Sequence, residues 1–280
     1  STSARLNKFF SETLLLQPDF NERNSMSKTV ICMKWGDLYS SDYVNVLYSA
    51  VKRNITGDFR FICLTDKNDG ININVETYPI PDIGLEPDHW HHGAWPKISV
   101  FKENLYNLTG HALFIDLDTF IMGSIDDFFN FAPTAISVID VGPWGKDTPV
   151  HKRVVGTGIF CFEIGKYSHF VSNLQNNLHT FINRHKLEQV YVQEICENIE
   201  FWPKSWVISY KRTLRQPIGK DLIFPPNTPG PLTKVIAFHG NPRPIDLINK
   251  GFYNRDRFPH FLLKSVGWAR EYWVNNGGNL

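Results

Sequence analysis

The chain reads as an α/β protein with a largely parallel, ligand-binding sheet, and three features of its 280 residues predict that class. The first is order: an apolar run at 29–33, helical spacing of apolar residues over 42–53 and a second apolar run at 59–64 give strand, helix, strand. The second is residues 112–122, Ala-Leu-Phe-Ile-Asp-Leu-Asp-Thr-Phe-Ile-Met, an apolar run that ends on Asp116 and Asp118. The third is a late apolar run at 234–238 that delivers His239 into the Gly240 turn. In such proteins the ligand crevice lies beyond the C-terminal ends of the strands.

The elements follow in order. Residues 1–28 read as a polar leader with one short helix at 6–16, and 29–280 as a single domain. Lys34-Trp35-Gly36-Asp37 closes the first strand, and Thr65-Asp66 closes the second before the turn-like Asn68-Asp69-Gly70. A third strand is expected at 75–80, then a loop rich in Pro, His and Trp over 81–95, and a helix at 97–108 that feeds the aspartate strand. Further strands are expected at 135–141 and 157–164, a helix at 167–184, and another from about Leu187. From Trp202 the Pro- and Gly-rich chain reads as irregular except for the strand at 234–238.

Composition narrows the function. Hydrophobic residues make up 42% and charged residues 20% of the chain, as in an ordered globular protein. A formal charge of +1 supplies no electrostatic reason to expect nucleic acid. Aromatics reach 14%, with 8 Trp, enough to wall a sugar or base pocket as well as a core. No run of about 18 apolar residues is present to span a bilayer. Cys32, Cys63, Cys161 and Cys196 form no Cys-x-x-Cys pair, and three of them sit in apolar strand-like runs. They read as reduced core residues, which favours a cytoplasmic location. Asn54-Ile55-Thr56 and Asn107-Leu108-Thr109 fit the glycosylation sequon, a pattern with meaning only in a secreted chain.

The chemistry is expected at the aspartates. In an extended strand Asp116 and Asp118 share a face while Leu117 points to the core. Two unpaired carboxylates beside an apolar strand repel, and a hard divalent cation (Mn²⁺, Mg²⁺ or Ca²⁺) removes that cost. The plainer alternative is a turn or capping pair after a strand. His239 offers an imidazole ligand, and Arg243, four residues on, suits phosphate oxygens. Lys97 is a second phosphate candidate. Lys34, Gly36, Asp37 and Asp66 stand where a base or ribose would approach the strand ends, although Asp is also a common turn residue. Gly156-Thr157-Gly158 would let a substrate approach the backbone. Glu188-Gln189 opens a helix with polar groups suited to sugar hydroxyls, or simply supplies a first-turn acid. His89 and His91 could share a face, but the segment lacks enough ligands for zinc, and an ordinary loop or lid is the simpler reading.

With these residues in place, the chain resembles glycosyltransferases of the GT-A fold, closest to family 8-like and related uncharacterised bacterial enzymes. Ile115-Asp116-Leu117-Asp118 looks like their D-x-D motif, and Phe238-His239-Gly240 with Pro242-Arg243-Pro244 looks like their H-x-G-x-K-P segment. Ala94–Ile98, Gly156–Ile159 and Glu188-Gln189 resemble the segments that line the donor sugar. Three positions depart from the pattern: Thr157 for Asn, Glu188 for Asp and Arg243 for Lys. The resemblance implies a GT-A domain with a Rossmann-like central mixed sheet. It implies a metal site of Asp116, Asp118 and His239 holding Mn²⁺ or Mg²⁺, and Glu188 and Gln189 at the reacting sugar. The implied partners are a nucleotide-sugar donor such as UDP-hexose and a saccharide or lipid-linked acceptor, with retention at the anomeric carbon. The implied setting is surface polysaccharide synthesis. Two rivals remain at this stage. A haloacid-dehalogenase-like phosphatase shares an Asp-x-Asp pattern, but Thr119 follows at the wrong spacing. A non-catalytic nucleotide- or glycan-binding relative needs no turnover. Peripheral membrane contact is conceivable through Phe252, Tyr253, Phe258 and Phe261 with Arg255, Arg257 and Lys264, which equally suit packing against a C-terminal helix.

Overall fold

The computed structural model describes residues 28–145, 148–149, 151–248, 260 and 266–280. The expected helix at 6–16 and the aromatic and basic residues from Phe252 to Lys264 named above lie outside them. Apolar strands that are buried almost continuously along their length dictate the frame. Strands β1 (Lys28–Lys34), β2 (Phe59–Thr65), β3 (Glu76–Tyr78), β4 (His111–Ile115), β6 (Ile136–Asp140), β7 (Val155–Glu163) and β8 (Ile199–Phe201) form a seven-stranded sheet in the order β3-β2-β1-β4-β7-β6-β8. The β1–β2, β2–β3, β1–β4 and β6–β8 pairs are parallel, and β7 runs antiparallel to both β4 and β6. Strand order reverses at β1, which sets a crevice beyond the ends of β1 and β4.

The sheet is buried on both faces, as a mostly parallel sheet must be. Val30 and Cys32 of β1 pack with helix α1 (Ser41–Arg53), while Ile31 and Met33 face the segment at Trp95–Phe101. Helix α1 buries Val44, Leu47 and Val51 at helical spacing, with Asp42 in its first turn and Lys52 and Arg53 in its last, complementing its dipole. All four cysteines are free, and Cys32, Cys63 and Cys161 are buried in the core.

A second sheet, absent from the sequence reading, orders β5 (Thr119–Ile121), β10 (Val235–Ala237) and β9 (Val207–Ser209) with β10 in the middle. Strand β10 is antiparallel to β5 and parallel to β9. Helix α2 (Asp126–Asn130) follows β5. Helix α7 (Gly267–Asn275) packs behind this sheet, and short helix α6 (Pro244–Ile248) packs against α7. Tyr272 of α7 stacks on Phe120 at 4.0 Å and its hydroxyl accepts the Ile121 amide at 2.9 Å. Three-residue strands carry too little pattern to be read, which is why this part of the chain looked irregular.

Two expected helices are revised. Residues 97–108 hold only a 3₁₀ turn at Trp95–Phe101. Beyond it Tyr106 and Asn107 adopt φ of 52° and 55°, and the Asn104 side chain accepts the Asn107 amide at 2.8 Å. A side-chain acceptor of this kind competes with helical bonding. Residues 167–184 divide into α3 (His169–Asn176) and α4 (Leu178–Arg184), broken where Asn177 leaves helical dihedrals at φ −140°. Helix α5 (Glu188–Ile195) starts as expected.

Candidate active site

Strand β4 stops at Ile115, so Asp116-Leu117-Asp118 is a turn between the two sheets and not a continuing strand. The two carboxylates still enter one cleft while Leu117 is buried, but the turn's bonds, and not strand alternation, place them. The Asp116 amide donates to Gly158 O at 2.8 Å, Thr119 Oγ1 donates to Asp116 O at 2.8 Å, and the Phe238 amide donates to Asp118 O at 3.0 Å. The last bond extends the β5–β10 ladder, and it delivers His239 beside the aspartate turn. The cleft holds about 1300 Å³.

A wide bulge shapes its floor. Val138 opposes Phe160, yet the next pair is Ile139 with Gly156, so Thr157, Gly158 and Ile159 are extra on β7. Bulges re-aim side chains, and this one turns the Thr157 hydroxyl onto Glu188. Gly156 packs closely here, because a Cβ there would collide with the Val141 side chain.

Lys97 is the hub of the floor. Its buried Nζ donates to Asp116 Oδ2 at 2.6 Å and Thr157 O at 3.3 Å, and lies 3.8 Å from Glu188 Oε1. Burial disfavours its charge, but the Asp116 and Glu188 carboxylates outweigh burial and raise its pKa. Burial likewise pushes the Asp116 and Glu188 carboxyls up, with Lys97 opposing in both. Asp118 rises from 3.8 to about 7, through burial and then the repulsion of Asp116. Tyr39, just after β1, donates to Asp118 Oδ2 at 3.2 Å; burial and the two aspartates push its hydroxyl pKa up, so it stays a donor. Three carboxylates therefore share one ammonium, an arrangement short of positive charge.

His239 reaches the same cleft, stacked 5.2 Å from Trp144. Its Nε2 lies 2.7 Å from Ser209 Oγ, the oxygen that also accepts the Arg212 amide at 3.2 Å. Burial, then the charges of Lys211, Arg212 and Arg215, bring its pKa to about 4, so the ring is neutral near pH 7. If Nε2–H donates to Ser209, Nδ1 keeps a lone pair for a ligand. Two carboxylates short of positive charge and a neutral imidazole suit a hard divalent cation in chemistry. Among the described residues no three His, Cys, Asp or Glu side chains already stand at metal-holding range.

Of the other residues singled out in the sequence, Lys97, Gly156, Thr157, Glu188, Gln189 and Gly240 line this cleft with Asp116, Asp118 and His239. Lys34, Gly36, Asp66 and Arg243 do not. The Gly36 amide donates to Asp66 Oδ2 at 3.0 Å, the buried Lys34 ammonium lies 3.5 Å from Gly36 O, and Asp37 pairs with Lys67 at 3.1 Å. These residues tie the β1 and β2 ends together. Arg243 points back into the fold, donating to Leu38 O at 3.3 Å and lying 3.8 Å from Asp246. The His89 ring accepts the Glu86 amide at 3.1 Å, closing a loop turn. Residues missed in the sequence are Tyr39, Trp144, Ser209, Lys211, Arg212 and Arg215. Only the dense basic run at 211–215 offered a signal.

The mixed α/β architecture, with its seven-stranded and mostly parallel central sheet, matches the GT-A fold of glycosyltransferases. The structure superposes on the galactosyltransferase LgtC, solved with donor and acceptor sugar analogues, over 89% of this chain and 94% of that one, with a TM-score of 0.57 and 12% identity. It also matches the bifunctional glycosyltransferase WbbM (TM-score 0.55, 12% identity, 91% of this chain and 52% of that one). GlyE of Streptococcus pneumoniae TIGR4 matches with a TM-score of 0.53 and 10% identity over 89% of this chain and 60% of that one. At such identities the likeness is one of fold. No protein-family model and no curated protein sequence matches the chain.

Proposed function

We propose that the protein is a glycosyltransferase that moves a hexose from a nucleotide-sugar, UDP-hexose in the first instance, to a saccharide or lipid-linked acceptor. One observation carries the reading: a GT-A fold places a carboxylate pair short of positive charge and a neutral imidazole in one cleft at the strand ends. Asp116, Asp118 and His239 would hold Mn²⁺ or Mg²⁺, which when bound supplies Lewis acidity to the leaving diphosphate. Lys97 holds Asp116 and Glu188 in place and opposes the rise that burial imposes on both carboxyls. Glu188 serves as a positioning group, since its carboxylate is engaged by Thr157 and Lys97. Gln189, on the first turn of α5 and in the cleft lining, would meet the sugar. Retention at the anomeric carbon and a role in polysaccharide synthesis at the cytoplasmic side of a membrane belong to the same proposal. Among the described residues no helix is long and apolar enough to cross a membrane. The fold favours this reading over the phosphatase alternative.

The test is release of UDP from UDP-hexoses with Mn²⁺ against EDTA. Turnover with Mn²⁺, its loss in EDTA and a drop of about 100-fold or more in Asp118→Ala are expected. UDP binding without turnover of any donor would favour a binding module, and Asp118→Ala at wild-type rate would remove the metal.

A further inference from the structure

The positive charge facing the cleft comes from a segment that the motifs do not include. Lys97 is committed to two carboxylates and a carbonyl, and Arg243 lies outside the lining, so neither phosphate candidate named from the sequence stands ready for a diphosphate. Lys211, Arg212 and Arg215 all line the cleft, on the π-helical turn Tyr210–Leu214 and its next residue. Single-turn π segments are frequent at functional sites.

Three further observations fix this segment at the proposed chemistry. The Lys211 ammonium donates to the carbonyl of His239. Ser209 joins the Arg212 amide to the His239 ring through one hydroxyl. Gly240, at φ +76°, leaves a would-be Cβ only 3.8 Å from Lys211 Nζ, so the backbone passes closely under the cation. The cleft is thus bipolar, with Asp116, Asp118 and Glu188 around one lysine at its floor and three cations on the wall beside His239. A dianionic diphosphate carried with a divalent cation complements both halves.

We propose that Lys211, Arg212 and Arg215 form the seat for the diphosphate of the nucleotide-sugar donor, in place of Lys97 and Arg243. The assignment rests on the donor reading above and adds the residues that recognise the leaving group. Arginine grips phosphate oxygens with two donors, so Arg212 and Arg215 carry most of the recognition.

The experiment is calorimetric titration of UDP, inorganic pyrophosphate and uridine into the full chain with saturating Mn²⁺. Wild type is compared with Arg212→Ala, Arg215→Ala and Lys211→Met, and with Arg243→Ala and Lys220→Ala as controls. Arg212→Ala and Arg215→Ala each weaken UDP and pyrophosphate by about tenfold or more, leave uridine unchanged and flatten the salt dependence. Both controls stay within about twofold of wild type. Because Arg212 is exposed, its variant tests the seat without disturbing the core. Wild-type UDP affinity in the three variants overturns the seat and leaves the donor reading standing. No binding of UDP or pyrophosphate by wild type removes the donor reading, and the seat with it.

Discussion

Asp118 is where the cost of the site is concentrated. Its carboxyl is buried beside Asp116, a shared lysine, a tyrosine hydroxyl and a backbone amide compensate in part, and its pKa rises from 3.8 to about 7. Between those values the native state binds more protons than the unfolded chain, so stability in EDTA falls as pH rises through that window. Melting temperatures from pH 4 to pH 8 check this. In Asp118→Asn the slope flattens, and an unchanged slope would show that Asp118 ionises freely. Adjacent in space, Lys97 lines the cleft in a role other than the one its sequence context suggests. It was a candidate for phosphate and became the counter-ion of the carboxylates, because burial leaves no room for an unpaired ammonium.

At the scale of elements, β9, the π-helical turn and β10 act together. Ser209 ends β9, caps the turn that carries the cations and holds the His239 ring at the end of β10. Ser209→Ala removes both bonds while leaving the strands paired. Its expected effect is a loss of about 10- to 100-fold in apparent Mn²⁺ affinity or in turnover, with little change in fold. A Mn²⁺ titration of UDP release measures it, and a variant with wild-type Mn²⁺ response would show that the ring needs no such tether. The sequence showed β10 because His239 and Gly240 punctuate it, but not β9, whose three residues look like any short apolar run.

Across the whole molecule, the site exists only where two sheets meet. The aspartate turn leaves the large sheet at β4 and enters the small one at β5, and α7 holds that junction from behind. Trp273 of α7 is 2% exposed, packs 5.0 Å from Tyr43 of α1 and donates to Asn279 O at 2.7 Å. Trp273→Ala is expected to cost about 3–5 kcal/mol, read as a fall in urea midpoint. A loss below about 1 kcal/mol would mean that α7 is not part of the cooperative unit.

The sequence by itself determined the α/β frame, the carboxylate pair, the late histidine and the polar opening of α5. Each is a local pattern: apolar period, strand-ending acids, a glycine turn. Tertiary structure alone decided what each cation does at the cleft: Lys97 pairs with acids at its floor, Arg243 turns to the Leu38 carbonyl outside it, and Lys211, Arg212 and Arg215 arrive from a basic run that no motif marks. It also decided that a turn, and not a strand, presents Asp116 and Asp118. A side chain's direction depends on which distant group satisfies its charge, and pairs such as Asp118 with Phe238 or Ser209 with His239 are far apart in the chain.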